Sequence, residues 1–130
     1  MGATDNLPYY GLNRTVLANE VSYLEIGTKD AAISRVFFEQ LFGWSFHPMG
    51  SNGEGWFQTP SIKVGLHGND PEPQFFIFFD VPDLMAAVAR VKELGGKTDE
   101  PGSDEPDFGR FCACCDPQGI RFGLHQLPKS

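Results

Sequence analysis

Cysteine is scarce, and its placement matters more than its count. The three residues all fall within Cys112-Ala113-Cys114-Cys115. A disulfide framework needs separated pairs, so the spacing predicts reduced thiols in a reducing compartment. Long apolar runs are also missing, and no stretch approaches the roughly 20 residues that span a bilayer. Residues 1–13 have neither a basic head nor an apolar stretch, so they do not read as a secretory signal. A cytoplasmic location is the expectation from these absences. Basic residues are few, 10 against 17 acids, for a formal charge of −7. Such a balance repels phosphate backbones and anionic lipid, so neither nucleic acid nor membrane is an expected partner. What remains is ordinary globular material: 130 residues, 41% hydrophobic, enough for one domain with a core.

Two helix signals stand out. Asp30 can cap a helix with Ile33, Phe37 and Leu41 on one face, ended by Gly43. Asp83 can cap a second, with Leu84, Val88, Val91 and Leu94 on one face, ended by Gly95-Gly96. The two caps lie 53 positions apart, as do Leu41 and Leu94, and the strand 23–26 falls on 76–79 at the same offset. Further on, residues 62–67 match 120–125 at an offset of 58, position by position from Ile62/Ile120 to His67/His125. A longer acidic loop in the second half, Asp99 to Gly109, accounts for the change. Two strands and a helix repeating in one order predict an internal duplication. Each half reads as strand, helix and three strands: about 21–27, 44–47, 55–59 and 62–67, then 74–81, 97–99, 109–115 and 120–126. Residues 1–20 lie outside the repeat as an N-terminal arm, and residues 21–130 form a single domain with units at about 21–67 and 74–126.

The run Tyr23-Leu24-Glu25-Ile26, followed by Phe37-Phe38-Glu39-Gln40-Leu41-Phe42-Gly43-Trp44, resembles the first strand and helix of the vicinal-oxygen-chelate superfamily of glyoxalases, bleomycin-resistance proteins and extradiol dioxygenases. Val81-Pro82-Asp83-Leu84, Glu93-Leu94-Gly95-Gly96-Lys97 and Asp116-Pro117-Gln118-Gly119 are similar to further signatures of that family. The resemblance implies an α+β fold, two tandem βαβββ units forming an incomplete eight-stranded barrel around a cleft. It also implies a homodimer, and in many members a divalent metal in the cleft. One fold hosts many chemistries, so the likeness bears on architecture more than on reaction.

The metal ligands of that family, carried over one at a time, fall on Tyr23, Gly65, Phe76 and Gly123. Only Tyr23 has an oxygen to offer, and a neutral phenol is a poor lone ligand. No metal and no other cofactor are therefore expected. An alternative is a displaced site: His67 and His125 lie two residues past the glycines and, with Glu25, would make a two-His-one-carboxylate set. Against it, two residues move each imidazole by roughly 6–7 Å along a strand.

Period-two alternation sorts the strands into two faces. Leu24, Ile26, Ile62, Val64, Leu66, Ile77, Phe79, Ile120, Phe122 and Leu124 form an apolar face, expected as core beneath the helices. The other face carries Tyr23, Glu25, Lys63, Gly65, His67, Gln74, Phe76, Phe78, Arg121, Gly123 and His125, with Trp56 joining from a neighbouring strand. This mixed face should line the cleft. Its aromatics either fill the barrel as a second core or bind a flat, partly apolar small molecule, with Gly65 and Gly123 leaving space beside them. Glu25 is the candidate catalytic residue, a general base if the aromatics desolvate it. Its bland alternative is a solvated carboxylate paired with Lys63 or Arg121. The cysteines read as small apolar fillers. The Asp99–Gly109 loop is either a lid or an ordinary solvated loop. The expected function is a metal-independent small-molecule-binding protein; the alternative is a metal-dependent lyase, isomerase or dioxygenase using the displaced site.

Overall fold

The computed structural model describes residues 19–128. The chain runs β1 (Val21–Gly27), α1 (Ala31–Phe42), β2 (Ser45–Pro48), β3 (Gly55–Gln58), β4 (Lys63–His67), β5 (Gln74–Asp80), α2 (Leu84–Glu93), β6 (Lys97–Thr98), β7 (Arg110–Cys115) and β8 (Arg121–Gln126). Both helices start where a carboxylate can accept from freed N–H groups. Asp30 accepts from Ala32 and Ile33, and Asp83 accepts from Ala86. Helix α1 stops at Gly43, whose φ of 73° suits a residue with no Cβ. A second tie seats α2 on the sheet, because the Gln126 side chain of β8 accepts from the Leu84 N–H at 2.7 Å.

All eight strands join one mixed sheet in the order β2-β3-β4-β1-β5-β8-β7-β6. The order reads as two like halves: β1 pairs parallel with β4, β5 pairs parallel with β8, and antiparallel β1·β5 pairing joins them. Strands β2 and β6 remain as edges, so the sheet is a curled cup and not a closed barrel. The duplication read in the sequence is the architecture of the molecule. The arm expected over residues 1–20 lies outside the described residues except for Asn19 and Glu20, which bond to Asp80 at the end of β5.

Each helix covers its own half of the convex face and makes its own core. Under α1 lie Ile26, Phe57, Val64 and Leu66; Leu84 and Val88 of α2 pack onto Cys112, Cys114 and Leu124 of the sheet. Burial pushes the Cys114 thiol up to about 12 and raises Cys112 as well, which suits inert packing groups. The direction of one helix stripe is set by the structure, and one expectation needs correction. The stripe Ile33, Phe37 and Leu41 points outward, at 69%, 57% and 57% exposure, while Ala31 and Phe38 face the sheet. The apolar strand face is not wholly covered either. Ile77 on β5 is exposed, because the helices sit over the two flanks and leave the middle of the sheet open, and Ile120 is exposed in the turn before β8.

Candidate functional site

The concave face is built by alternation. Tyr23 and Glu25 rise from β1, Phe76 and Phe78 from β5, and Phe111 from β7, which places rings from three strands around one hollow. The Tyr23 ring is buried and touches Phe111 (centroids 4.9 Å apart), Phe78 and His125 (both 5.8 Å) and Phe108 (6.4 Å). These rings, with Glu25, Met49, His67 and Glu105, line a cavity of about 390 Å³. A second cavity of about 220 Å³ adjoins it, sharing Glu25, His67 and Phe78 and adding Asp70, Phe76 and Arg121.

The polar centre is a chain of four side chains. Glu25 accepts from the Tyr23 hydroxyl at 3.3 Å and meets His67 Nδ1 at 2.6 Å. His67 Nε2 meets Asp70 at 3.1 Å. A carboxylate on each ring nitrogen can be satisfied at once only by the doubly protonated ring. Burial opposes that charge, but the hydrogen bonds to Glu25 and Asp70 outweigh it and hold His67 above the usual range. Burial likewise raises Glu25, against the opposing pull of His67 and Tyr23. Burial and the neighbouring carboxylate keep the Tyr23 phenol neutral. Asp70 is held below its usual range by the Glu72 N–H and by His67. A carboxylate in an aromatic hollow with an imidazole at its back can hold or accept a proton from a bound molecule.

His125 has the opposite environment. It is buried, stacks on Phe111 at 4.4 Å, and meets the Phe108 carbonyl at 2.6 Å through Nε2 and the Ser22 hydroxyl at 2.8 Å through Nδ1. A carbonyl only accepts, so Nε2 carries the hydrogen and Nδ1 accepts from Ser22. Burial lowers its pKa, and the ring stays neutral. His125 therefore clamps the Asp99–Gly109 loop instead of facing the hollow. Lys63 assists by donating to the Asp107 carbonyl at 2.8 Å, with its ammonium near the Trp56 and Phe108 rings. Fastened this way, the loop is a wall of the cavity, contributing Glu105 and Phe108.

The structure thus brings Tyr23, Glu25, His67 and Phe78 around the main cavity and leaves Phe76 in the adjoining one. Trp56 lines neither of these two; it stacks on His47 at 4.1 Å and supports Phe108. Gly65 and Gly123 do not leave open space. A Cβ on Gly65 would overlap the Glu25 carboxylate and Tyr23 hydroxyl, and one on Gly123 would overlap the Phe78 ring. Glu25 pairs with His67, not with Lys63 or Arg121. Sequence reasoning missed Met49, Asp70, Glu105, Phe108 and Phe111. Of these, Phe111 carried a usable signal, since alternation from Cys112 and Cys114 in the core puts it on the cleft face.

The residues present do not fit the metal that this fold often holds. Tyr23, Gly65, Phe76 and Gly123 offer one phenol between them. His67 and His125 sit at opposite ends of the sheet, opposite Gly27 on β1 and Asp80 on β5. Glu25 and Asp70 occupy opposite nitrogens of the His67 ring and cannot close on one ion with it. Among the described residues no group of three or more His, Cys, Asp or Glu side chains is arranged to hold a metal ion. Nor is any helix among them long and apolar enough to cross a membrane.

Known proteins agree with this architecture. The anthracycline biosynthesis protein DnrV of Streptomyces peucetius is 26% identical over 124 residues, covering 79% of this chain and 45% of its own length. The chain therefore spans less than half of that relative. Methylmalonyl-CoA epimerase of Mycobacterium tuberculosis superposes with a TM-score of 0.66 at 15% identity, covering 92% of this chain and 95% of that one. Homoprotocatechuate 2,3-dioxygenase of Arthrobacter globiformis gives 0.70 at 21% identity over 86% of this chain and 37% of that one. At such identities the two structures speak for the fold alone. The sequence model of the glyoxalase/bleomycin resistance protein/dioxygenase superfamily matches residues 20–124, nearly the whole repeat, and the chain belongs to that superfamily.

Proposed function

We propose that this chain is a metal-independent binding protein for a flat, partly apolar small molecule, held in the concave cleft. The observation that carries the reading is the cavity of about 390 Å³, walled by Tyr23, Phe78, Phe108 and Phe111 and edged on one side by Glu25 and His67. Apolar walls with a few placed polar groups suit a ring system bearing one or two polar substituents. Anthracyclines are fused-ring aromatic compounds, and the relative named for their biosynthesis makes that class the first to screen. A thermal-shift screen of aromatic compounds tests the proposal, because a ligand at 100 times its dissociation constant adds about 2.7 kcal/mol of stability. Absence of a shift across planar aromatic compounds, with Phe111→Ala behaving as the parent does, would remove it.

A second reading has its own support. The Glu25–His67 pair, at 2.6 Å inside the cleft, suits a metal-free isomerase or epimerase with Glu25 as general base. Glu25→Gln keeps the shape and separates the two, since binding without turnover in this variant points to catalysis. The displaced-site metalloenzyme is disfavoured because His125 is committed to Ser22 and Phe108. The exposed apolar surface of Phe37, Phe75 and Ile77 supports pairing of two chains through the convex face as a homodimer. The three free thiols fit a cytoplasmic location.

A further inference from the structure

We infer that the molecule bound in this cleft is a hydroxylated aromatic carboxylate, its ring against Phe78 and Phe111, its anionic group on Arg121 and its hydroxyl on Glu25. The inference rests on the small-molecule reading of the same cleft and names the chemistry of its ligand. Arg121 is exposed at the wall of the smaller cavity, with its guanidinium 5.4 Å from the centroid of the Phe76 ring. It forms no ion pair and no hydrogen bond among the described residues, although Glu25 and Asp70 line the same cavity. Both acids are turned instead onto His67. A guanidinium stacked on a ring keeps its N–H edges free, and those edges match a carboxylate in two-pronged fashion.

Glu25 stands on the divide between the two cavities and lines both. Its Oε2 is taken by His67 at 2.6 Å, whereas its Oε1 has only the long 3.3 Å contact from Tyr23. A carboxylate oxygen with that partner can accept another donor from the hollow. The protein thus offers an acceptor at the divide and an unpaired cation in the smaller cavity, with aromatic walls in the larger. A ligand answering all three is planar, donates at one place and carries negative charge at another. An amine in the anionic position would meet Arg121 as a like charge.

Three probes and two variants test the assignment. Calorimetric titration at low salt compares 3-hydroxy-2-naphthoate, whose hydroxyl and carboxylate share one edge of the ring, with 2-naphthoate, which lacks the hydroxyl, and with 3-hydroxy-2-naphthamide, which lacks the charge. The parent should bind the hydroxy acid roughly tenfold tighter than the amide. Arg121→Gln should erase that preference while leaving affinity for the amide in place. Glu25→Gln should erase the preference for the hydroxy acid over plain naphthoate. Equal binding of acid and amide by the parent would overturn the anion assignment and leave aromatic binding standing. A preference that survives Arg121→Gln would overturn the role of Arg121, and a hydroxyl preference that survives Glu25→Gln would overturn that of Glu25. Failure of all three probes to bind would sink this inference, and the aromatic screen decides separately whether the wider reading goes with it.

Discussion

Gly65→Ala should separate Glu25 from His67, and the glycine shows why. It lies on β4 directly across from Glu25 on β1 and Trp56 on β3, with no unusual backbone angle that would demand glycine. Its reason is space: the added methyl would overlap the Glu25 carboxylate and Tyr23 hydroxyl and reach 2.9 Å from Glu25 Cδ. The Tyr23 ring is wedged among Phe78, Phe108, Phe111 and His125 and cannot retreat, so the flexible Glu25 must swing off His67. Overpacking of this kind costs roughly 1–3 kcal/mol. The lost hydrogen bond adds less than a buried pair would, because the His67 side chain is 42% exposed. A total of about 2 kcal/mol corresponds to a Tm lower by roughly 8 °C in a domain of this size. Gly123→Ala is the matched control, since its methyl would strike the Phe78 ring and destabilise the fold without touching His67. Thermal unfolding followed by circular dichroism gives the first quantity, and NMR titration of the His67 ring gives the second. Gly65→Ala should let the His67 pKa fall toward its ordinary value, while Gly123→Ala should leave it raised. If Gly65→Ala melts within about 2 °C of the parent and His67 titrates unchanged, the carboxylate does not lie over Gly65 and the description of the polar centre is wrong.

The two matched histidines should make opposite contributions to stability across pH. His67 is raised in the fold, so its contribution is complete below about pH 6.5 and is lost as pH rises through its folded value. His125 is lowered, so its contribution is present above about pH 6.5 and is lost as pH falls through its folded value. Urea unfolding between mildly acid and mildly basic pH should show the alkaline decline weaken in His67→Gln; a decline of unchanged size would refute the charged ring. Phe111→Ala should weaken binding of an aromatic ligand by on the order of 1–3 kcal/mol, whereas Val64→Ala, in the core under α1, should lower stability by roughly 1–3 kcal/mol and leave intrinsic affinity alone. Calorimetry beside thermal melts would refute this division if the two variants behaved alike. Phe37→Asp should turn a sedimenting dimer into a monomer, and an unchanged oligomer would exclude this part of the convex face as the contact.

Most of the fold was legible because it rests on local rules that the sequence states twice. Asp30 and Asp83 are caps of the same kind, and a positive-φ glycine follows each helix, Gly43 as the cap of α1 and Gly95 one residue past the Leu94 cap of α2. Strand alternation assigned Tyr23, Glu25, Phe76, Phe78 and the two histidines to one face without long-range information. Failures began where a side chain's neighbours come from elsewhere in the chain. Ile33, Phe37 and Leu41 have helical periodicity whether they face the sheet or another surface, and periodicity alone cannot say which. Gly65 and Gly123 read as vacant because a missing side chain looks like space until a neighbour is seen to occupy it. Phe108 and Glu105 were hidden for a related reason. The Asp99–Gly109 loop has the composition of a solvated loop, and contacts distant in sequence, from Lys63 and His125 and from the Tyr23 and Trp56 rings on Phe108, hold it against the cleft.

The two halves share a backbone plan, and the chemistry of the cleft comes from where they depart from each other. At the repeat offset of 53 positions, Glu25 answers to Phe78, and each lies over its own glycine, Gly65 or Gly123. His67 and His125 occupy matched strand ends, yet one finds a carboxylate where the other finds a ring. In the first half, Glu25 and the nearby Asp70 draw a proton onto His67 and make the end of the cleft polar. In the second, Phe78 supplies no acceptor, and the longer loop lays the Phe108 carbonyl on His125. That contact needs a neutral ring donating one hydrogen, so His125 becomes structural and the aromatic wall closes around it. An exchange of Glu25 for an aromatic residue, as its partner position already has, would leave His67 with Asp70 alone and make the two ends of the cleft alike. The asymmetry that gives this cup a polar side and an apolar side therefore turns on a carboxylate in one half and a loop in the other.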